Sequence, residues 1–101
     1  MRERDVEKYL HTRITAIGGT TRKWTSPGHV GVPDRIVFLN GRVIFCEMKT
    51  DTGKLSVRQE REIETLRSHG ADVRVISGQD GVKQFIAELQ QFIDEILEGV
   101  E

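Results

Sequence analysis

An Asn-Gly pair, residues 40 and 41, joins two apolar runs within GVPDRIVFLNGRVIFCEMK, residues 31 to 49. Asn-Gly in that setting is the strongest short-range signal for a β-hairpin closed by a two-residue type I′ loop. With Asn40 and Gly41 as the loop, Leu39 opposes Arg42, and Phe38, Val37, Ile36 and Arg35 oppose Val43, Ile44, Phe45 and Cys46 in turn. The next pair is Asp34 with Glu47. Opposed residues of an antiparallel pair share a sheet face, with Cβ atoms about 4.5–5.5 Å apart. The register therefore sets two like charges side by side and asks for a cation. Alternation puts Lys49 on the face of Glu47 and sends Met48 to the other. A bulge in either strand would shift this register.

The rest of the chain supplies elements to surround that hairpin. Val6, Leu10, Ile14 and Ile17 recur at spacings of three and four, predicting a helix over residues 3–17 that Gly18-Gly19 ends. Glu3 and Glu7 lie one turn apart beside that stripe. TTRKWT reads as a short strand and SPGHVGVP as a loop. Both hairpin strands are apolar on both faces, as in strands central to a covered sheet. Ser56-Val57-Arg58-Gln59 fits a capping box with Ser56 as N-cap, and Gly70 is a natural C′ residue for the helix it opens. DVRVIS is then a strand, which the short connections make parallel to the second hairpin strand. Val82, Phe85, Ile86, Leu89, Phe92, Ile93, Ile96 and Leu97 give the last segment a wide apolar helical stripe. The order αβββαβα predicts an α/β fold, a mixed sheet flanked by helices.

Size and composition bound the answer. A chain of 101 residues predicts one domain over 1–101, with 37% hydrophobic and 31% charged residues typical of a soluble globular protein. No apolar run approaches the roughly 20 residues of a membrane span, and the N-terminus lacks the apolar stretch of a signal peptide. The lone cysteine, Cys46, lies in an apolar strand, reads as a packed core thiol and suits a reducing cytoplasm. The net charge of −1 is unevenly spread: residues 1–61 hold twelve Lys and Arg against seven Asp and Glu, and residues 62–101 hold three against nine. The positive half also contains the converging carboxylates. This favours a polyanion binding there, with ordinary helix-surface solvation as the alternative source of the skew.

Gly31-Val32-Pro33-Asp34, followed by Glu47-Met48-Lys49, resembles the PD-(D/E)xK nuclease signature. The αβββαβ order resembles the restriction-endonuclease-like core of that superfamily, here with an added C-terminal helix. Glu7 on the first helix, GVPD, EMKTDTGKLSVRQ and Gln59 narrow the resemblance to the VRR-NUC (virus-type replication-repair nuclease) family, over most of residues 3–77. It implies a metal-dependent endonuclease acting on DNA. Hard oxygen ligands from Asp34, Glu47, Glu7 and the Met48 backbone carbonyl suit Mg²⁺ or Mn²⁺. Lys49 would orient water or balance phosphoryl charge. Gln59 would join the catalytic set, although the capping box alone also accounts for it. Stand-alone members resemble Holliday-junction resolvases, which implies a homodimer, branched or junction-containing DNA and no membrane. The 82–97 stripe would either form the dimer contact or cover the sheet.

Other residues carry less. Arg22, Lys23, Lys54 and Arg58 flank the proposed site, either as phosphate contacts or as solvated surface. Trp24 either stacks on a base or packs in the core. His11, His29 and His69 lack metal-ligand spacing, and TDTGK lacks the phosphate-loop spacing. A flap, single-strand or nicking nuclease, a catalytically silent DNA-binding module, and a small metal- or partner-binding protein are the alternatives. The expected compartment is the cytoplasm of a bacterial or phage-infected cell.

Overall fold

A computed structural model describes residues 1–99; residues 100 and 101, the end of the expected domain, lie outside it. The elements run α1 (Glu3–Ala16), β1 (Thr20–Lys23), β2 (Arg35–Leu39), β3 (Arg42–Lys49), α2 (Val57–Ser68), β4 (Val73–Ser77) and α3 (Gly78–Glu98). This is the expected order. Asn40 and Gly41 have φ of 51° and 84°, the two left-handed conformations that a type I′ loop requires and that Asn and Gly tolerate best. The five pairs from Leu39–Arg42 back to Arg35–Cys46 form as the loop dictates. The sheet order is β1-β2-β3-β4, with β1, β2 and β3 antiparallel and β4 parallel to β3. The hairpin strands are thus the two central ones.

The two faces of the sheet are covered unequally. Val37, Leu39, Ile44, Cys46, Met48 and Ile76 pack beneath Val6, Leu10 and Ile14 of α1 and Val82, Phe85, Ile86 and Leu89 of α3. Each such buried aliphatic side chain contributes about 1.5–3 kcal/mol over leaving it in water. Cys46 is in this layer, and burial pushes its thiol up to about 12, so it stays a protonated, unreactive packing group.

The opposite face carries α2, whose Ile63 is buried. Near the turn this face is open: Phe38 is 39% and Val43 48% exposed. The expectation of strands covered on both faces therefore fails at the hairpin tip, because the one helix on this face packs against β4 and leaves the tip open. The stripe on α3 also divides. Its first half covers the sheet, whereas Ile96 and Leu97 are exposed, since 21 residues extend about 31 Å and outrun the strands. Among the described residues no helix is long and apolar enough to cross a membrane.

Candidate active site

The site forms where β2 begins and β3 ends. Gly31 has φ 97°, and a Cβ there would lie 3.0 Å from the Arg58 carbonyl oxygen. Glycine is thus what lets the loop before β2 press against the start of α2. Pro33 is fully buried behind it. The Trp24 amide then donates to the Asp34 carbonyl oxygen (2.9 Å), continuing the β1–β2 ladder by one residue. Asp34 is held by its backbone, and its side chain reaches across the open end of the hairpin. Its Oδ2 accepts from the Met48 amide at 2.8 Å.

Glu47 is completely buried. Its Oε2 accepts from Gln59 Nε2 at 3.3 Å and lies 3.4 Å from Lys49 Nζ. Its Oε1 is buried without a hydrogen-bond partner among the described residues. Burial first, then the adjacent Asp34 carboxyl, push the Glu47 carboxyl up to about 8, against the pull of Lys49. Like-charged carboxyls in a dry setting resist double ionisation, and a shared proton or a cation relieves them.

Gln59 serves two groups with one amide. Its Oε1 accepts from the Ser56 amide at 2.9 Å, while the Gln59 amide donates to Ser56 Oγ at 3.1 Å, completing the expected capping box. The remaining Nε2 is the atom on Glu47. The cap and the site contact therefore coexist, because the start of α2 abuts the end of β3.

The first helix departs from expectation. Glu3, Asp34 and Glu47 each offer a carboxylate oxygen, all within 4.8 Å of one another, and Glu3 also lies 3.8 Å from Lys49 Nζ. Glu7, expected among the metal ligands, is not part of this trio. Its Oε1 accepts from Arg35 Nε at 2.9 Å and Lys23 Nζ at 3.2 Å, over the α1 face of the sheet. The reason is depth. One turn of helix is about 5.4 Å, so Glu3 clears the strand ends while Glu7 still lies above the strands. The sequence signal for Glu3 was its place one turn before Glu7 on the same side of the helix.

The donor set fits a divalent ion. It is all carboxylate oxygen, one oxygen is buried and unpartnered, and such donors suit Mg²⁺ or Mn²⁺. The Met48 carbonyl is compatible with the set. The N–H and C=O of one strand residue face the same neighbour, and the Met48 N–H faces Asp34.

The expected phosphate contacts are more scattered. Arg22 donates to Thr20 Oγ1 and the Thr21 carbonyl, Lys23 is drawn to Glu7, and Lys54 and Arg58 are exposed. Trp24 is half-buried, its ring 5.2 Å from that of Phe45. His11 meets Thr21 Oγ1 (2.6 Å), His29 pairs with Glu62 (2.9 Å) and His69 ends α2; none belongs to the acidic trio.

Comparison with known proteins places this geometry in context. Residues 12–80 match the VRR-NUC domain family, a span that includes Asp34, Glu47, Lys49 and Gln59 and begins after Glu3 and Glu7. The chain is 43% identical over 81 residues to "Putative nuclease p44" of Acyrthosiphon pisum secondary endosymbiont phage 1, covering 79% of this chain and 87% of that protein. A solved structure named "VRR_NUC domain" is 34% identical with a TM-score of 0.76, over 84% of this chain and 94% of that one. A second, "VRR_NUC domain protein", shares the fold at 19% identity and a TM-score of 0.68, over 93% of this chain and 89% of that one.

Proposed function

Since the chain belongs to the VRR-NUC family of PD-(D/E)xK nucleases, we propose that it is a single nuclease domain that hydrolyses DNA phosphodiester bonds with Mg²⁺ or Mn²⁺. One observation carries this reading: Glu3, Asp34 and Glu47 bring carboxylate oxygens within 4.8 Å of one another, Glu47 keeps a buried oxygen with no partner among the described residues, and the Lys49 ammonium lies beside Glu47. A purely structural cluster would balance its charges, and this one does not.

Asp34, Glu47 and Glu3, with the Met48 carbonyl, are the groups to hold the ion. Bound there, a divalent ion supplies Lewis-acid polarisation of a phosphoryl oxygen and a water of lowered pKa. Lys49 balances negative charge developing on the phosphoryl group. Gln59 fixes the Glu47 carboxylate from the α2 side. Arg22, Lys54 and Arg58 are exposed cations available to DNA phosphates, which makes affinity fall with salt.

One such site cuts one strand, so two copies suit a two-strand or junction substrate. The proposed working form is accordingly a homodimer on branched DNA in the cytoplasm, with the exposed Ile96 and Leu97 offered to the second copy.

The test is cleavage of supercoiled plasmid, four-way junctions and linear duplex with Mn²⁺, Mg²⁺ or EDTA. Asp34→Ala and Lys49→Ala variants, shown to be folded by circular dichroism, are run alongside. Each variant is expected to lose about 10²-fold or more. Undiminished cleavage in either variant, or in EDTA, would overturn the metal-nuclease reading. Equal rates on junction and linear DNA would remove the branched substrate alone, and a monomeric mass by light scattering the dimer alone.

A further inference from the structure

The trio at the strand ends depends on a helix terminus that little else secures. Residues 1–5 are all exposed, and Glu3 is the first residue of α1. Helix ends leave unpaired backbone groups and fray. Its ties are local or exposed: the Arg2 amide donates to Asp5 Oδ2 at 3.0 Å, the Arg2 carbonyl accepts from the Asp5 and Val6 amides at 3.0 and 3.1 Å, and Glu3 lies 3.8 Å from Lys49 Nζ. Contact with the protein interior begins at Val6 and Glu7, both buried.

At that first contact stands a carboxylate already committed to cations. Glu7 Oε1 accepts from Arg35 Nε and Lys23 Nζ, and the second oxygen lies 3.5 Å from Lys23 Nζ. The partners are well placed for more than charge neutralisation. Arg35 directly follows Asp34, and Lys23 pairs with Arg35 across the β1–β2 ladder. The next rung of that ladder is the Trp24 hydrogen bond to the Asp34 carbonyl. One carboxylate thus joins the helix bearing Glu3 to the two strands that hold Asp34.

We propose that Glu7 is a positioning residue for the metal site. Its ion pairs with Arg35 and Lys23 clamp α1 at the depth where Glu3, one turn earlier, completes the trio with Asp34 and Glu47. Glu7 itself contributes no ligand atom. This rests on the metal-site reading given above and adds a role for groups that do not touch the ion. Outlying partners that orient metal ligands commonly govern affinity by 10–100-fold.

The competing assignment, Glu7 as a ligand, predicts the opposite response to one substitution. Removing Arg35 would free a ligand carboxylate and take away a nearby positive charge, so Mn²⁺ would bind more tightly. If Glu7 is a clamp, removing Arg35 loosens α1 and Mn²⁺ binds more weakly.

The experiment is calorimetric titration of the metal-free full chain with Mn²⁺ alone. Wild type, Glu3→Gln, Glu7→Gln, Arg35→Met and the Glu3→Gln/Glu7→Gln double variant are compared, each checked by its melting temperature. Glu7→Gln keeps an acceptor for Arg35 Nε, and Arg35→Met keeps an apolar stem, so one variant remains if the other fails to fold. The expected result is a loss of roughly tenfold in Mn²⁺ affinity for Glu7→Gln and for Arg35→Met. The double variant should be no weaker than Glu3→Gln alone, because Glu7 acts through Glu3. Tighter binding by Arg35→Met, additive losses in the double variant, or a lowered melting temperature with unchanged affinity would each overturn the clamp. A wild-type chain that binds no Mn²⁺ would instead overturn the functional reading from which the clamp starts.

Discussion

Asp72 is bound by Arg42 at the start of β3 and Glu47 lies near the end of that strand, and their surroundings treat a carboxylate in opposite ways. Asp72 receives Arg74 Nε at 2.7 Å and Arg42 Nη2 at 3.0 Å, and Arg74 is braced by Glu88 at 2.7 Å. Partial burial there works to raise the Asp72 carboxyl. The hydrogen bonds from Arg74 and Arg42 outweigh it and hold the group below its ordinary value. Glu47 is buried beside a second carboxylate with one ammonium for company, and it is raised to about 8. The first end is an ion network with matched charges, which fastens the start of β4 to the start of β3. The second keeps an excess of negative charge in a dry place. A fold tolerates such an excess at a cost, and the cost is relieved by a cation.

The largest effect that would break this contrast is on activity. Glu47→Gln is expected to lower Mn²⁺-supported cleavage on the order of 10³-fold, because it removes a ligand. The same variant, metal-free at pH 8, should be more stable than wild type by on the order of 2 kcal/mol and melt at a higher temperature, since the repulsion with Asp34 is gone. A metal-free melting temperature below wild type would mean that Glu47 is an ordinary stabilising residue.

The pH dependence sharpens the comparison. Glu47 has its folded pKa raised from 4.5 to about 8, so between those values the folded state binds more protons than the unfolded one. The metal-free protein therefore loses stability as pH rises through that window. Asp72 has the reverse sign: its contribution is present above its unfolded value of 3.8 and is lost as pH falls through its lower folded value. Metal-free melting curves should thus show maximal stability on the acid side of neutrality, near pH 5. Saturating Mn²⁺ should move the maximum upward, because binding requires deprotonated carboxylates. An optimum at pH 8 without metal would contradict this.

Smaller effects belong to the balanced end and to the open face. Asp72→Asn should leave cleavage intact and cost about 1 kcal/mol in urea denaturation, a modest figure because the side chain is 34% exposed to screening water. Val43→Thr, at the uncovered hairpin tip, should change stability by no more than about 0.5 kcal/mol. A loss of several kcal/mol there would show that the open face is covered in solution.

The hairpin, the capping box and the parallel β4 were all readable from residues close together in the chain. Gln59 illustrates the limit of that reading. The S-x-x-Q pattern announces its bonds to Ser56, but only the abutment of α2 on β3 turns its spare nitrogen toward Glu47. The incomplete cover over Phe38 and Val43 was hidden for a similar reason. Alternation shows that a strand is apolar on both faces, and it does not show that α2 packs on β4 and leaves the hairpin tip bare.

By itself the sequence determined that Asp34, Glu47 and Lys49 lie at one end of a hairpin. A two-residue loop at Asn40-Gly41 fixes the register covalently, and the period of two then assigns every side chain to a face. Only the tertiary structure decided which acid of α1 joins them. Glu3 and Glu7 are equivalent to the helical period, and their difference is the depth at which the helix docks. That depth is set by Val6, Leu10 and Ile14 packing on the sheet and by Arg35 and Lys23 meeting Glu7, contacts between residues far apart in the chain.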